Sequence, residues 1–254
     1  MFIDINCDMG ESYGAGLIGN DAELMPLVSS ANIACGFHGG DPGTMHQAIR
    51  LAQQYKVAIG AHPSYPDLAG FGRREMQLNP QEIYDNILYQ IGALEAFTRA
   101  GGDKLHHVKP HGALYNRAAK DTEMAEAIMH AIYYFDKSLL VYGPAGSELH
   151  IAAIKVGLGF CREAFADRTY QPDGSLTPRS QPGALIKDVV LAVQQVVQIV
   201  ETKTVTAQDG TIIPMEADTI CIHGDGLHAL DFARAIRHTL TEKGIAIQAP
   251  PVYA

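Results

Sequence analysis

Seven short apolar runs, alternating with longer segments of helical period, constrain this chain more than any other feature. The runs are Phe2 to Cys7, Ala31 to Phe37, Val57 to Ala61, Leu105 to Val108, Leu139 to Tyr142, Gly159 to Phe165 and Thr219 to Ile222. Their length and flanking glycines predict buried strands. Between them, residues 44–55, 80–100, 122–135, 147–156, 182–202 and 227–243 read as helices. The third of these helices follows Asp121. The helix from Pro80 has Asn79 as N-cap, Pro80 at its first position and Glu82 two residues later, the pattern of a capping box. Gly244 stops the last helix.

Strand and helix in alternation mean parallel strands joined by crossover helices. A closed barrel and a doubly wound open sheet both satisfy this pattern. Val205 to Pro214 holds Asp209-Gly210 between two β-prone runs and reads as a small hairpin inserted before the last strand. No linker-like stretch breaks the composition, so residues 1–254 are expected to form a single domain. His106 and His107 are adjacent within the fourth strand, so one of them faces inward, and the pattern does not say which.

The totals exclude several classes. Hydrophobic residues make up 47% and charged residues 19%, which rules out an intrinsically disordered chain. The formal charge of −9 gives no electrostatic basis for nucleic-acid binding or for holding an anionic membrane. No apolar run is long enough for a membrane span, and the first residues carry Asp4 and no basic stretch, so no secretory signal is expected. Cys7, Cys35, Cys161 and Cys221 each lie in an apolar run without a C-x-x-C pair. Buried, reduced thiols of a cytoplasmic protein are expected.

The placement of histidine points to function. There are 11 histidines, and four of them stand where an apolar run stops: His38, His62, His111 and His223. The first run ends at Asn6 and Asp8 with Glu11 just beyond, the fourth at Lys109, and the sixth carries Glu163, Asp167 and Arg168. In parallel α/β folds, ligands bind at the carboxyl ends of the strands, so these side chains are expected to converge on one cleft. Three chemistries fit them. Asp8, His38 and His62 suit a zinc-like ion with an open position. Acids and histidines suit metal-free proton transfer, with Lys109 stabilising negative charge. Polar caps that only tie down loops are the third. Gly143-Pro144-Ala145-Gly146-Ser147 reads equally as an anion site and as a tight turn. Arg73 and Arg74 lie in a loop after the third strand, where they either hold a carboxylate or face solvent. The P-loop, the dinucleotide fingerprint and the nucleophile elbow are all absent.

The blocks Asp4 to Glu11, Ala31 to Pro42, Gly60 to Asp67, Phe71 to Arg74, Val108 to Asn116, Glu163 to Arg168 and His223 to Asp225 together resemble the LamB/YcsF family, in order and over nearly the whole chain. The resemblance implies an α/β fold of the (β/α)7-barrel type, similar to the glycoside hydrolase/deacetylase superfamily. It implies ATP-dependent opening of the 5-oxoproline lactam to L-glutamate, made jointly with 5-oxoprolinase subunits B and C, with a divalent cation such as Mg accompanying ATP. On that reading Asp8 or Glu163 is the base. Lys109 with His62 or His223 stabilises the lactam oxygen. Asn6, Asn32, His38, His111, Arg73 (with Arg74) and Arg168 hold the substrate. The alternatives are a metal-dependent deacetylase or amidase acting alone, and a non-catalytic subunit that presents substrate.

Overall fold

The computed structural model describes residues 1–252 except 15, 17 and 227. Its elements in chain order are β1 (Phe2–Met9), α1 (Asp21–Leu24), β2 (Ser30–Ala34), α2 (Pro42–Tyr55), β3 (Ala58–His62), α3 (Pro80–Ala100), β4 (His107–Val108), α4 (Gly112–Ala118), α5 (Thr122–Phe135), β5 (Leu140–Pro144), α6 (Glu148–Val156), β6 (Gly159–Phe165), α7 (Val189–Thr202), β7 (Thr204–Thr206), β8 (Ile212–Pro214), β9 (Thr219–Ile222), α8 (Ala229–Glu242) and β10 (Ala246–Ile247). β1 to β6 and β9 run parallel in order, and β9 pairs back onto β1, so seven strands close into a barrel. Closure decides between the two folds that the periodicity left open. β10 adds to the start of β1, and β7 and β8 form an antiparallel pair outside the barrel.

The alternation of side chains along each strand separates two interiors. On β1, Ile3, Ile5, Cys7 and Met9 join the apolar layer beneath the helices, where each large buried side chain contributes roughly 1.5–3 kcal/mol. Asp4, Asn6 and Asp8 alternate with them and are also buried, joined to polar groups of neighbouring strands. The barrel is therefore filled with polar groups in a continuous chain. Asp4 accepts from Ser29, Ser30 and Thr219 at 2.6–2.8 Å, Asn6 donates to Thr219, and Asn32 donates to both Asn6 and Asp8. His107 is the inward member of its pair: its Nε2–H donates to Asn32 Oδ1 at 2.8 Å, while His106 bonds the Pro250 carbonyl. No helix among the described residues is long and apolar enough to cross a membrane.

The helices start where their caps place them. Asn79 and Glu82 form the reciprocal capping box of α3, and Asp41, Asp121 and Ser147 cap α2, α5 and α6. Within Gly143 to Ser147, Gly143 and Pro144 end β5, Ala145 and Gly146 make the turn, and Ser147 caps α6 rather than lying within it. α7 begins later than the expected residue 182. Asp188 accepts from Val190 and Leu191 N–H and sets the start there, while Leu185 is drawn into a bridge with Arg168. The expected start of the last helix, residue 227, lies outside the described residues.

Candidate active site

Lys109 follows β4 at the carboxyl end of the barrel, and its side chain is only 3% exposed. Its ammonium lies 3.0 Å from Asp8 Oδ1, 2.8 Å from Glu163 Oε1, 3.1 Å from Asn6 Oδ1 and 3.1 Å from Cys221 Sγ. Four strands therefore meet at one charge. Burial works against that charge, but Asp8, together with Cys221 and Glu163, outweighs it and holds the Lys109 pKa well above the usual range. Burial likewise works against the Asp8 carboxylate, and the charges of His62 and Lys109 outweigh it, leaving Asp8 well below the usual range.

The two carboxylates are not equivalent. Asp8 Oδ1 accepts from Asn32 and Lys109 and lies 3.4 Å from His62 Nε2. Glu163 accepts from the Tyr115 hydroxyl at 2.7 Å through Oε2. Its Oε1 lies 2.8 Å from the Lys109 ammonium in a buried ion pair and, among the described residues, has no other polar partner.

His223 stands at the rim. Its Nδ1 lies 2.9 Å from both Asp167 oxygens, and its ring stacks on Phe165 with centroids 5.5 Å apart. Burial raises the Asp167 pKa, and the His223 charge and hydrogen bonds outweigh this and lower it. A carboxylate that fixes Nδ1–H leaves Nε2 for proton transfer.

His62, His111, His38 and Glu11 form a second cluster against the first. His62 Nδ1 bonds the Lys109 carbonyl at 2.7 Å, and His62 Nε2 faces His111 Nδ1 at 3.0 Å. His111 Nε2 bonds the Phe71 carbonyl at 2.9 Å, and His38 Nε2 meets Glu11 at 3.1 Å. The His38 and His111 rings stack at 3.8 Å. Burial lowers the His38 pKa to about 3 and holds His111 well below its usual range. Burial and then the Asp8 charge raise Glu11 to about 8. Gly72 lets the Phe71 loop lie on this cluster: its φ is +63°, and a Cβ there would press on His38 and His111.

The Glu11 shift has a measurable consequence. Its folded pKa is raised above the unfolded value, so its contribution is full below about pH 4.3 and is lost as pH rises through about 8. The facing groups are Asp8, His62, Asp225 and Arg73, with His38 and His111 alongside. In metal-free buffer, Glu11→Gln is expected to flatten the fall in unfolding free energy between about pH 5 and pH 8 (denaturant titration), an effect on the order of a few kcal/mol. Equal slopes for the two proteins would contradict it.

Of the residues expected in the cleft, Asn6, Asp8, Asn32, His62, Lys109, His111, His38 and Glu163 are joined through direct contacts, and His223 adjoins them. The arginines lie apart. Arg168 is buried and donates to the Ala184 and Thr177 carbonyls, holding the loop after β6. Arg74 is paired with Asp67. Arg73 lies over Phe71 and reaches Asp225 at 2.6 Å, bridging two loops at the mouth. Tyr115 and Cys221 also belong to the cluster. The expectation of buried thiols holds for Cys221, yet it faces the barrel interior rather than the helices, as its alternation with Ile220 and Ile222 dictates. Tyr115 carried no signal beyond lying four residues after His111.

The donor types decide what the site can hold. Three imidazoles and one carboxylate suit a borderline transition ion and not magnesium, which takes oxygen ligands. Asp8, Cys221 and His223 also converge, but the Lys109 ammonium already occupies the space between Asp8 and Cys221.

Comparisons with known proteins agree with this arrangement. The crystal structure of a lactam utilization protein from Thermus thermophilus is 50% identical, covers 98% of this chain and 100% of its own, and superposes with a TM-score of 0.94. The A subunit of 5-oxoprolinase from Bordetella parapertussis is 58% identical over 97% of this chain and 98% of its own. Its counterpart from Brevibacillus brevis is 56% identical over 97% of each. The LamB/YcsF family model matches residues 3–253, which include every residue of both clusters. With the closed seven-stranded barrel and its polar mouth, this match over nearly the full length establishes that the chain belongs to the LamB/YcsF family.

Proposed function

We propose that this chain is the A component of an ATP-dependent 5-oxoprolinase and carries the lactam-opening chemistry, working with subunits B and C. The observation that carries this reading is the buried Lys109 held between two carboxylates at the mouth of the barrel. Opening 5-oxoproline adds water across an amide: oxygen joins the carbonyl carbon, the C–N bond breaks, and nitrogen leaves with a proton. Lys109 stabilises negative charge developing on the lactam oxygen. Glu163 Oε1 accepts the proton of the attacking water. His223, with Nδ1–H held by Asp167, delivers a proton from Nε2 to the leaving nitrogen. Asp8, Asn6 and Asn32 hold Lys109 in place, and His62 acts through Asp8. Arg73 takes the substrate carboxylate in exchange for Asp225. His38 and His111 shape the wall beneath it.

ATP supplies the free energy for breaking a stable amide. No step above runs through the nucleotide. Magnesium accompanies ATP and does not belong to the histidine cluster. The Lys109 ammonium 3.0 Å from Asp8 opposes Asp8 as a metal ligand of a deacetylase acting alone. The test is reconstitution. This chain, subunits B and C, 5-oxoproline and ATP should yield glutamate with matching ADP, and omission of any one protein should stop it. Hydrolysis of an acetylated sugar by this chain alone, without ATP, would favour the deacetylase instead.

A further inference from the structure

We propose that Glu11, His38, His62 and His111 form a closed binding site for one divalent transition-metal ion of the zinc class. The hydrogen-bond pattern requires a cation there. The Lys109 and Phe71 carbonyls only accept, so His62 Nδ1 and His111 Nε2 both carry their hydrogens. In the neutral rings, His62 Nε2 and His111 Nδ1 are therefore both lone pairs, and they face each other at 3.0 Å. Two lone pairs at that distance need a cation between them. A proton or a metal ion can fill that role.

The spacing of the ligand atoms favours the metal. Four ligands at about 2.0–2.2 Å from one ion in a tetrahedron stand about 3.3–3.6 Å apart. The pairs here are 3.0 Å for His62 and His111, 3.1 Å for His38 and Glu11, and 3.7 Å for His111 and Glu11. All four ligand atoms lie within 4.8 Å of one another, and all four residues are buried. Small movements bring them around one ion. The outer ring N–H groups of His62 and His111 are already fixed on backbone carbonyls, the arrangement that orients metal-binding imidazoles. Burial keeps His38 and His111 neutral, the form that binds metal.

The chemistry of the site sets its role. Three nitrogens and one carboxylate favour zinc or cobalt over calcium or magnesium. Four protein ligands leave no open position, so the ion is structural. It ties the end of β3 to the segments that follow β1, β2 and β4, and it fixes His62, which lies 3.4 Å from Asp8. Metal uptake competes with protons for the ligand atoms, so affinity rises with pH. Asp8 is not a ligand.

The test uses the full chain, stripped with a chelator and titrated with Co²⁺ and then Zn²⁺. One equivalent of cobalt per chain is expected, with the intense visible absorption of a four-coordinate ion, discharged by zinc. His62→Ala and His111→Ala should weaken binding by about 100-fold or more. Glu11→Gln, which keeps the shape of the side chain, should weaken it by about tenfold or more and decides the matter where a histidine variant does not fold. Asp8→Asn should bind cobalt as the unaltered protein does while losing lactam-opening activity, so the metal site and the proposed catalytic role fail separately. Folded protein that takes up no cobalt or zinc, or an unchanged affinity in Glu11→Gln or His111→Ala, would overturn the proposal.

Discussion

Lys109→Met is expected to abolish glutamate formation and to destabilise the fold by about 3–5 kcal/mol at neutral pH. Methionine fills much of the same volume, so the cost comes from charge. The ammonium lies within 3.0 Å of two buried carboxylates, Asp8 and Glu163. Without it, both stay buried with no cation between them, and each is driven to bind a proton. The sign of the pH dependence follows. In the variant, the folded pKa of these acids lies above the unfolded value, so stability is highest at low pH and is lost as pH rises. Denaturant unfolding at about pH 5 and pH 8 should show a gap to the unaltered protein that widens with pH. A constant gap below about 1 kcal/mol, the range of exposed ion pairs, would show that the cluster is not the electrostatic centre of the site.

Gly60→Ala should be nearly as damaging, although it adds one methyl group. Gly60 pairs with His107 across β3 and β4, and a Cβ on Gly60 would overlap the Nε2 edge of the His107 ring. That ring has nowhere to go. It stacks on Tyr142 with centroids 4.0 Å apart, and its Nε2–H is bonded to Asn32. Moving it breaks the bond that orients Asn32, and Asn32 donates to both Asn6 and Asp8. Overpacking and a broken buried hydrogen bond together should cost about 3 kcal/mol or more. Thermal unfolding measures this directly. In protein that still folds, activity should fall as well, because Asp8 loses a partner. Full stability in Gly60→Ala would mean that the His107 network yields easily and does not hold Asn32 rigidly.

Much of this architecture is legible in the residues because two periodicities coincide. The apolar alternation of β1 puts Asp4, Asn6 and Asp8 on one face, and histidines at the ends of apolar runs mark the mouth. The capping box at Asn79 and Glu82 is local chemistry, so it needs no tertiary information. Closure does not show in periodicity, because β9 meets β1 across 213 residues between Asn6 and Thr219. The resemblance to a known family supplied it. Helix α4 opens with Gly112 and spans seven residues, too short for a period to register, and with it Tyr115 escaped notice. β4 is only His107–Val108, because Leu105 and His106 belong to its approach. The arginines show the limit of residue type: Arg168 is committed to loop carbonyls by long-range folding that its charge does not reveal.

The most direct measurement compares the complete assembly of all three subunits carrying Asp8→Asn, Glu163→Gln or neither change in this chain, followed by glutamate and ADP from 5-oxoproline and ATP. Both variants should assemble, and Glu163→Gln should lower kcat by about 10²–10⁴, the usual contribution of a positioned general base. Asp8→Asn should fall comparably, because Lys109 loses its anchor. Intact, ATP-coupled glutamate formation by both variants would contradict the assignment of the lactam-opening chemistry to this barrel mouth.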